Sequence, residues 1–325
     1  MKYLLKIYNE VVDDASHYKK LYKSIQDYQL DLEDTFQKYI NVISSKEEQI
    51  KICLNLLSLY ADTRVVYLGL YEALRANNYS YLDKALNTYT KLSMLIVMQC
   101  GTDHSVSSLK RVPFVFSLKR FEDIEKIYPK NCGLSTKKVW GSVVTNLIMY
   151  LYYQENMWKE QVINSANQYL CKNDSLEYQS IVKALLSLVE RDFKQFSLEL
   201  SNICKGRKRT KDFGENKFSR SVSFYSLGLY NFAKYLYPDD VDKITLPTDD
   251  NFLTDYLYYQ QSRNFLDEGY IIDFTEGLAL LKVMFLIDTP PISLMKEGKN
   301  YEVDYISYNQ LLVKKIMNNI RKLDE

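Results

Sequence analysis

The chain has 325 residues, 46% of them hydrophobic, enough to bury the core of one large or two ordinary domains. Its 42 basic and 41 acidic side chains leave a formal net charge of +1. No global field therefore draws it to nucleic acid or an anionic membrane, and it is not an acidic DNA mimic. Ten glycines and six prolines, against ordinary usage of roughly 7% and 5%, favour an all-α fold over strands joined by tight turns.

The first amphipathic pattern covers Tyr3 to Tyr22, with Leu4, Ile7, Tyr8, Val11 and Ala15 inward. A second runs from Asp27 to Ile43. Ser45 and Glu48 read as a capping box that opens a long pattern from Lys46 to Asn77, with a bend expected near Asp62-Thr63. Asn77, Asn78 and Ser80 separate it from a helix over Tyr81 to Cys100. Gly101 to Pro113 is polar and aperiodic, hence a loop or linker. A short helix over Phe114 to Tyr128 and a break at Pro129 to Gly133 follow.

From Ser135 the helices come in close succession: Ser135 to Gln154, Trp158 to Cys171, then Asp174 to Gly206. In this last stretch Ile181, Leu185 and Leu188 share one face, and Phe193, Phe196, Leu200 and Ile203 repeat the spacing after Arg191-Asp192. Two helices joined so tightly form an antiparallel hairpin. Phe218 to Tyr237 is ended by Pro238. Thr248 or Asp249 is expected to cap a helix over Phe252 to Leu266, Glu276 to Ile287 is stopped by Pro290-Pro291, and the last helix covers Asp304 to Leu323. About a dozen helices result, at a spacing close to the roughly 34 residues of a tetratricopeptide pair. The characteristic tetratricopeptide residues do not recur. The expected fold is an irregular, tetratricopeptide-like array of antiparallel helix hairpins, divided into an N-terminal helical region 1–100, a connection 101–133 and a C-terminal array 134–325, or run together as one domain.

Little chemistry is on offer. The two histidines, His17 and His104, lie far apart, so no His-based metal cluster is available. No HExxH, P-loop, dinucleotide-binding glycine pattern, GxSxG or paired CxxC occurs. GRKRTKDFG, Gly206 to Gly214, has no preceding strand and its glycines are badly spaced for a phosphate loop. Cys53, Cys100, Cys132, Cys171 and Cys204 are odd in number and fit no zinc or redox spacing, so reduced thiols in a cytosolic protein are expected. The N-terminus lacks a signal peptide's apolar core. The longest apolar runs, Leu92 to Met98 and Leu147 to Tyr153, are far short of a membrane span. No cofactor and no metal are expected, and carboxylate metal sites stay open only because acids are plentiful.

Two surface features remain. Lys205, Arg207, Lys208, Arg209 and Lys211 form a basic run, read as a contact for an acidic partner or as a solvated loop after a helix C-terminus. Asp239, Asp240, Asp242, Asp249, Asp250 and Asp255 follow, flanked by Tyr235, Tyr237, Tyr256, Tyr258 and Tyr259. Tyr brings contact area at low entropic cost and Asp brings steering, so this segment reads as a grip for a basic partner. The plain reading is helix caps in a soluble loop. Twenty-nine tyrosines are many, and Tyr150, Tyr152, Tyr153 and Tyr225 fall at core-type positions, with Trp140 and Trp158 as packing anchors.

The stretch ALLSLVERDFKQFSLELSNICKGRKR resembles the helical hairpin of bacterial polymorphic-toxin immunity proteins of the immunity protein 49 family. The points of likeness are the step Glu190-Arg191-Asp192-Phe193 between helices, the helix SVSFYSLGLYNFAKYL from Ser221 to Leu236, and the leucine-proline segment KITLPTDDNFLTDYL from Lys243 to Leu257. The likeness spans roughly residues 135 to 265 and rests on packing patterns. It implies a cytosolic, non-enzymatic protein that binds and neutralises a cognate toxin, with no catalytic residues to carry over. On the residues alone, the expected partner-binding set is Tyr235, Tyr237, Asp239, Asp240, Asp242, Asp249, Asp250 and Tyr256, with Arg207, Lys208 and Arg209 second. Two other readings stand beside it. A helical-repeat adaptor or peptide-sensing regulator would use a concave face, though the mixed charge of residues 1–45 argues against a DNA-reading helix. An all-α carboxylate-metal enzyme would need inward-facing acids on adjacent helices.

Overall fold

The computed structural model of the chain describes residues 2–13, 21–96, 104, 108–210, 216–298 and 300–324. Helix dominates throughout, as the scarcity of glycine and proline predicts. Contacts divide the chain into two compact units: residues 1–99, 266–293 and 303–325 form the first, and residues 100–265 and 294–302 the second.

The first unit opens with α1 (Lys2–Val12), whose Ile7, Tyr8, Val11 and Val12 are buried. The expected continuation to Tyr22 does not hold, since Leu21 and Tyr22 are not helical; residues 14–20, with Ala15 and His17, lie outside the described residues. In α2 (Ile25–Thr35) the Ser24 hydroxyl accepts from the Asp27 amide at 3.1 Å, an N-cap. Tyr28, Leu32, Phe36 and Ile40, four apart, are all buried, and the stripe crosses from α2 into a π-helical turn at Phe36–Ile40. Ser45 caps α3 (Lys46–Leu56). The bend expected near Asp62-Thr63 is a full interruption between Leu57–Leu59 and α4 (Arg64–Ala76). Asn77, at φ 51, turns the chain into α5 (Ser80–Leu95), which packs on α4.

In the second unit a 3-10 turn, Ser108–Lys110, leads into α6 (Val112–Ser117), which α7 (Ile124–Ile127) follows. A single helix over Phe114 to Tyr128 was the expectation. It breaks because Lys119 takes a left-handed conformation, φ 59, while the Arg120 amide reaches back to the Val115 carbonyl at 3.1 Å. Next come α8 (Trp140–Tyr153), α9 (Lys159–Leu170), α10 (Leu176–Glu190), α11 (Phe193–Arg207), α12 (Phe224–Leu236) and α13 (Thr254–Ser262). α12 lies on α6, with Phe116, Phe121 and Phe232 meeting in the core between them. Trp140 stacks on Tyr178 at 4.2 Å between ring centroids, the anchoring role read from the sequence. Neither Thr248 nor Asp249 caps α13, whose N-cap position is Leu253 with no side-chain cap. A two-stranded hairpin, β1 (Leu294–Glu297) and β2 (Asn300–Val303), was not foreseen, because four-residue strands carry too little alternation to detect.

The first unit is completed by α14 (Ala279–Leu286) and α15 (Tyr305–Asp324). Contacts group residues 266–293 and 303–325 with the N-terminal helices rather than with the helices of residues 134–265. The C-terminal segment packs with the N-terminal helices because it satisfies their buried polar groups. Asn87 donates to Asp267 at 2.9 Å, the Thr88 hydroxyl accepts from the Ile271 amide at 2.9 Å, and the Lys91 ammonium donates to the Ile287 carbonyl. Tyr308 donates to the Met94 carbonyl at 2.6 Å, and Cys53 meets Met284 at 3.5 Å. None of these partners is close in sequence.

The core-type tyrosines Tyr150, Tyr152, Tyr153 and Tyr225 are half-buried, and three of them send the hydroxyl to a partner: Tyr153 to the Tyr128 carbonyl at 2.8 Å, Tyr225 to the Leu109 carbonyl at 2.8 Å and Tyr152 to Glu125 at 3.2 Å. Tyr128 is buried outright, and burial pushes its hydroxyl up to about 12. An unfolded chain releases that proton near pH 10, so the unfolded state gains from alkali first. The stability Tyr128 contributes is complete below about pH 10 and is lost as pH rises through 12. In an alkaline ultraviolet titration, part of the tyrosinate signal should appear only together with loss of helical circular dichroism. Smooth ionisation of every tyrosine near pH 10 with helicity intact would contradict this burial.

Candidate functional site

The α10–α11 hairpin organises the site. Leu188 ends the buried face of α10, and the chain reverses within Arg191-Asp192. Arg191 takes φ 58, and the Arg191 and Asp192 amides return to the carbonyls of Leu188 at 3.3 Å and Ser187 at 2.9 Å. The Asp192 carboxylate then accepts from the Gln195 amide at 2.9 Å, starting α11. This step therefore carries a charged, exposed turn held by backbone geometry.

The chain after α12 closes on the same turn. Tyr237 donates to the Leu188 carbonyl at 2.9 Å and meets Phe193 edge-on at 5.5 Å, while the Arg191 guanidinium lies 5.0 Å from its ring centroid. Burial raises the Tyr237 hydroxyl above its ordinary range, and Arg191 offsets part of the rise. Pro238 opens a short 3-10 segment, Pro238–Lys243, in which Lys243 pairs with Asp240 at 2.6 Å. Between turn and segment lies an open cleft of about 670 Å³, lined by Glu190, Arg191, Asp192, Phe193, Lys194, Asp240 and Lys243. Asp239 and Asp242 stand exposed beside it. Tyr235 is 52% exposed and rests on Phe121, ring centroids 4.6 Å apart.

From Lys243 the chain runs along α11 in the same direction as the helix. The Lys243 ammonium lies 5.9 Å from the Phe193 ring, the Thr245 amide donates to Ser197 at 2.9 Å, and Asn251 donates to the Cys204 carbonyl at 2.8 Å. Lys208 then forms an ion pair with Asp250. The predicted residues are thus sorted into two groups at opposite ends of a 15-residue helix, roughly 22 Å apart at 1.5 Å per residue. Tyr235, Tyr237, Asp239, Asp240 and Asp242 gather at its N-terminal end. Asp249, Asp250, Arg207, Lys208 and Arg209 gather at its C-terminal end.

The C-terminal group answers much of its own charge. The Lys208 ammonium bonded to Asp250 holds that carboxyl below its usual range, although the exposed pair adds little stability. Arg207 is half-buried, 3.8 Å from the buried Glu177 and donating to the Ser219 carbonyl at 3.2 Å. Lys205 and Arg209 are exposed; Lys211 lies outside the described residues. Tyr256 cannot belong to a contact surface. It is 0% exposed, and its hydroxyl accepts from Gln260 at 2.8 Å, because its position on α13 faces the core. Tyr258, two residues on, is the exposed one. Sequence reading did not place Arg191, Phe193 and Lys243 in the site. The first two lay in the step already singled out as a packing pattern, whereas Lys243 offered no local signal.

Among the described residues, no group of three or more His, Cys, Asp or Glu side chains is arranged to hold a metal ion, and no helix is long and apolar enough to cross a membrane. No family model matches the chain, and no curated protein or solved structure matches it.

Proposed function

We propose that this protein is a non-enzymatic binding protein that neutralises a cognate bacterial toxin by stoichiometric association, acting in the cytosol. The observation that carries the reading is the surface at the N-terminal end of α11. There an exposed tyrosine, three acidic side chains and an open cleft share one rigid frame of α10, α11 and α12. A preformed frame loses little ordering entropy on binding. Aromatic contact area with flanking acids suits a basic partner surface. The resemblance to toxin-immunity proteins falls on the same stretch, residues 135 to 265. Cys53, Cys132, Cys171 and Cys204 are all free thiols, in keeping with a reducing compartment.

Titrating the purified chain against a toxin encoded beside it tests the reading: complete neutralisation at one equivalent is expected. Full toxicity, with no complex formed, would overturn it. The placement is tested separately by the triple substitution Asp239→Lys, Asp240→Lys, Asp242→Lys. Charge reversal at three sites should slow association by about ten-fold or more at low salt, with the effect shrinking as salt is added. Affinity and rate equal to the parent's would move the contact elsewhere, with the C-terminal group at Arg207 to Arg209 next in line.

A further inference from the structure

Tyrosines gather where α8 and α12 finish, and the chain's own cations cover two of them. Tyr152 and Tyr153 stand in the last turn of α8, Tyr235 in the last turn of α12, and Tyr237 just after it. The Arg191 guanidinium lies 5.0 Å from the Tyr237 ring centroid. The Lys130 ammonium lies 6.0 Å from that of Tyr153 and is ion-paired to Glu155 as well. Both are within the range at which a ring face attracts a cation. Among the described residues, no cation lies on Tyr152 or on Tyr235.

The uncovered pair is held ready. The Tyr152 and Tyr235 rings are nearly parallel, 16° apart, with their centroids separated by 6.4 Å. One cation can therefore lie within about 6 Å of both centroids, where each ring attracts it. Tyr235 rests on Phe121 at 4.6 Å, and Phe121 is buried against Phe116 and Phe232, so the core fixes this ring. Tyr152 is fixed by its hydroxyl, which donates to Glu125 Oε1 on α7 at 3.2 Å. The other oxygen of this exposed carboxylate has no partner among the described residues. Arg120 and Lys126, the cations beside Phe121 and Glu125 in the chain, pair instead with the buried Asp123 at 3.0 and 3.5 Å. Glu122, next to Phe121, is exposed and adds negative charge.

We propose that Tyr152, Tyr235 and Glu125 form a binding site for one arginine side chain of a protein partner. A guanidinium is flat and weakly hydrated, so it lies on an aromatic face while its edge donates to a carboxylate. A lysine ammonium is compact and strongly hydrated, and it gives up more water for the same ring contact. Arg191 on Tyr237 shows the same pairing within the chain. The proposal rests on the reading of this end of the unit as the contact surface. It adds Tyr152 and Glu125 to that surface and makes arginine the group recognised there.

The test needs no toxin. The full chain, with its tyrosine rings isotopically labelled, is titrated with N-acetylarginine methylamide and followed by NMR. The Tyr152 and Tyr235 ring signals, assigned from the Tyr152→Phe and Tyr235→Phe variants, should shift together and saturate. The citrulline analogue has arginine's shape without its charge and should bind about ten-fold more weakly, having lost both the ring attraction and the ion pair. The lysine analogue should fall between the two. Glu125→Gln keeps the carboxylate's shape and should weaken arginine binding by about three-fold. Shifts that do not saturate, citrulline binding as well as arginine, or a Glu125→Gln variant that binds like the parent would each overturn the proposal. Arginine binding in a chain that neutralises no toxin would keep this site and remove the immunity reading. Neutralisation by a chain that binds no arginine would do the reverse.

Discussion

Asn146→Leu should destabilise the second unit by about 3 kcal/mol, from two orphaned backbone groups. Asn146 lies on α8 with its side chain buried, and it treats Ser135 as a strand would. Its carbonyl oxygen accepts from the Ser135 amide at 2.9 Å, and its amide nitrogen donates to the Ser135 carbonyl at 2.8 Å. Ser135 is itself buried and stands in the non-helical run before α8, where it has no helical partner to fall back on. Leucine fills nearly the same space, so no cavity confuses the result. Both tryptophans, Trp140 and Trp158, lie in this unit. Tryptophan fluorescence in urea therefore reports its unfolding separately from the first unit, and the midpoint should fall with the slope unchanged. An unfolding free energy within about 0.5 kcal/mol of the parent's would show that water reaches Ser135 and that the side chain is not what holds this segment.

Gly206→Ala is expected to cost about 2 kcal/mol in the same unit. In an exposed helix this change would gain about 1 kcal/mol from better helix propensity. Here a Cβ would lie 2.4 Å from the Glu177 nitrogen and 2.6 Å from its Cα, on the backbone that begins α10. Backbone cannot rotate away as a side chain can, so α11 must lift from α10. Forced separations of this kind cost about 3 kcal/mol, which outweighs the propensity gain. The displacement should also loosen the Thr210 hydroxyl from Glu177, now 2.5 Å apart, and with it the basic segment behind α11. The check is the same urea titration, together with proteolysis after Lys208 and Arg209, which should speed up. A stabilised variant would mean that the two helices have room to adjust.

Much of this was legible in the residues. The α10–α11 hairpin follows from the alternating four- and three-residue spacing of Ile181, Leu185 and Leu188 and its repeat from Phe193, interrupted only at Arg191-Asp192. Pro238 ends α12 where proline must. Local sequence rules could place these because each depends on neighbours within a turn or two. The break at Lys119 was hidden, since lysine is a good helix former and its left-handed conformation is imposed by α12 and α13 from more than a hundred residues away. Tyr256 and Tyr258 looked alike beside the same aspartates. Only the docking of α13 decides that one faces the core and the other faces water.

The chain by itself determined a helical protein with its turns marked, because apolar period and turn chemistry are local. It also determined which charges and tyrosines were available for a surface. Tertiary structure alone decided which of them stand together. It separated Asp239, Asp240 and Asp242 from Asp249 and Asp250 by the length of α11, joined Lys208 to Asp250, and added Arg191, Phe193 and Lys243 to the cleft. It likewise returned residues 266–293 and 303–325 to the N-terminal helices. The physical reason is the same in each case. A buried polar group must find a partner wherever the chain can supply one, and that partner's distance along the sequence leaves no periodic trace.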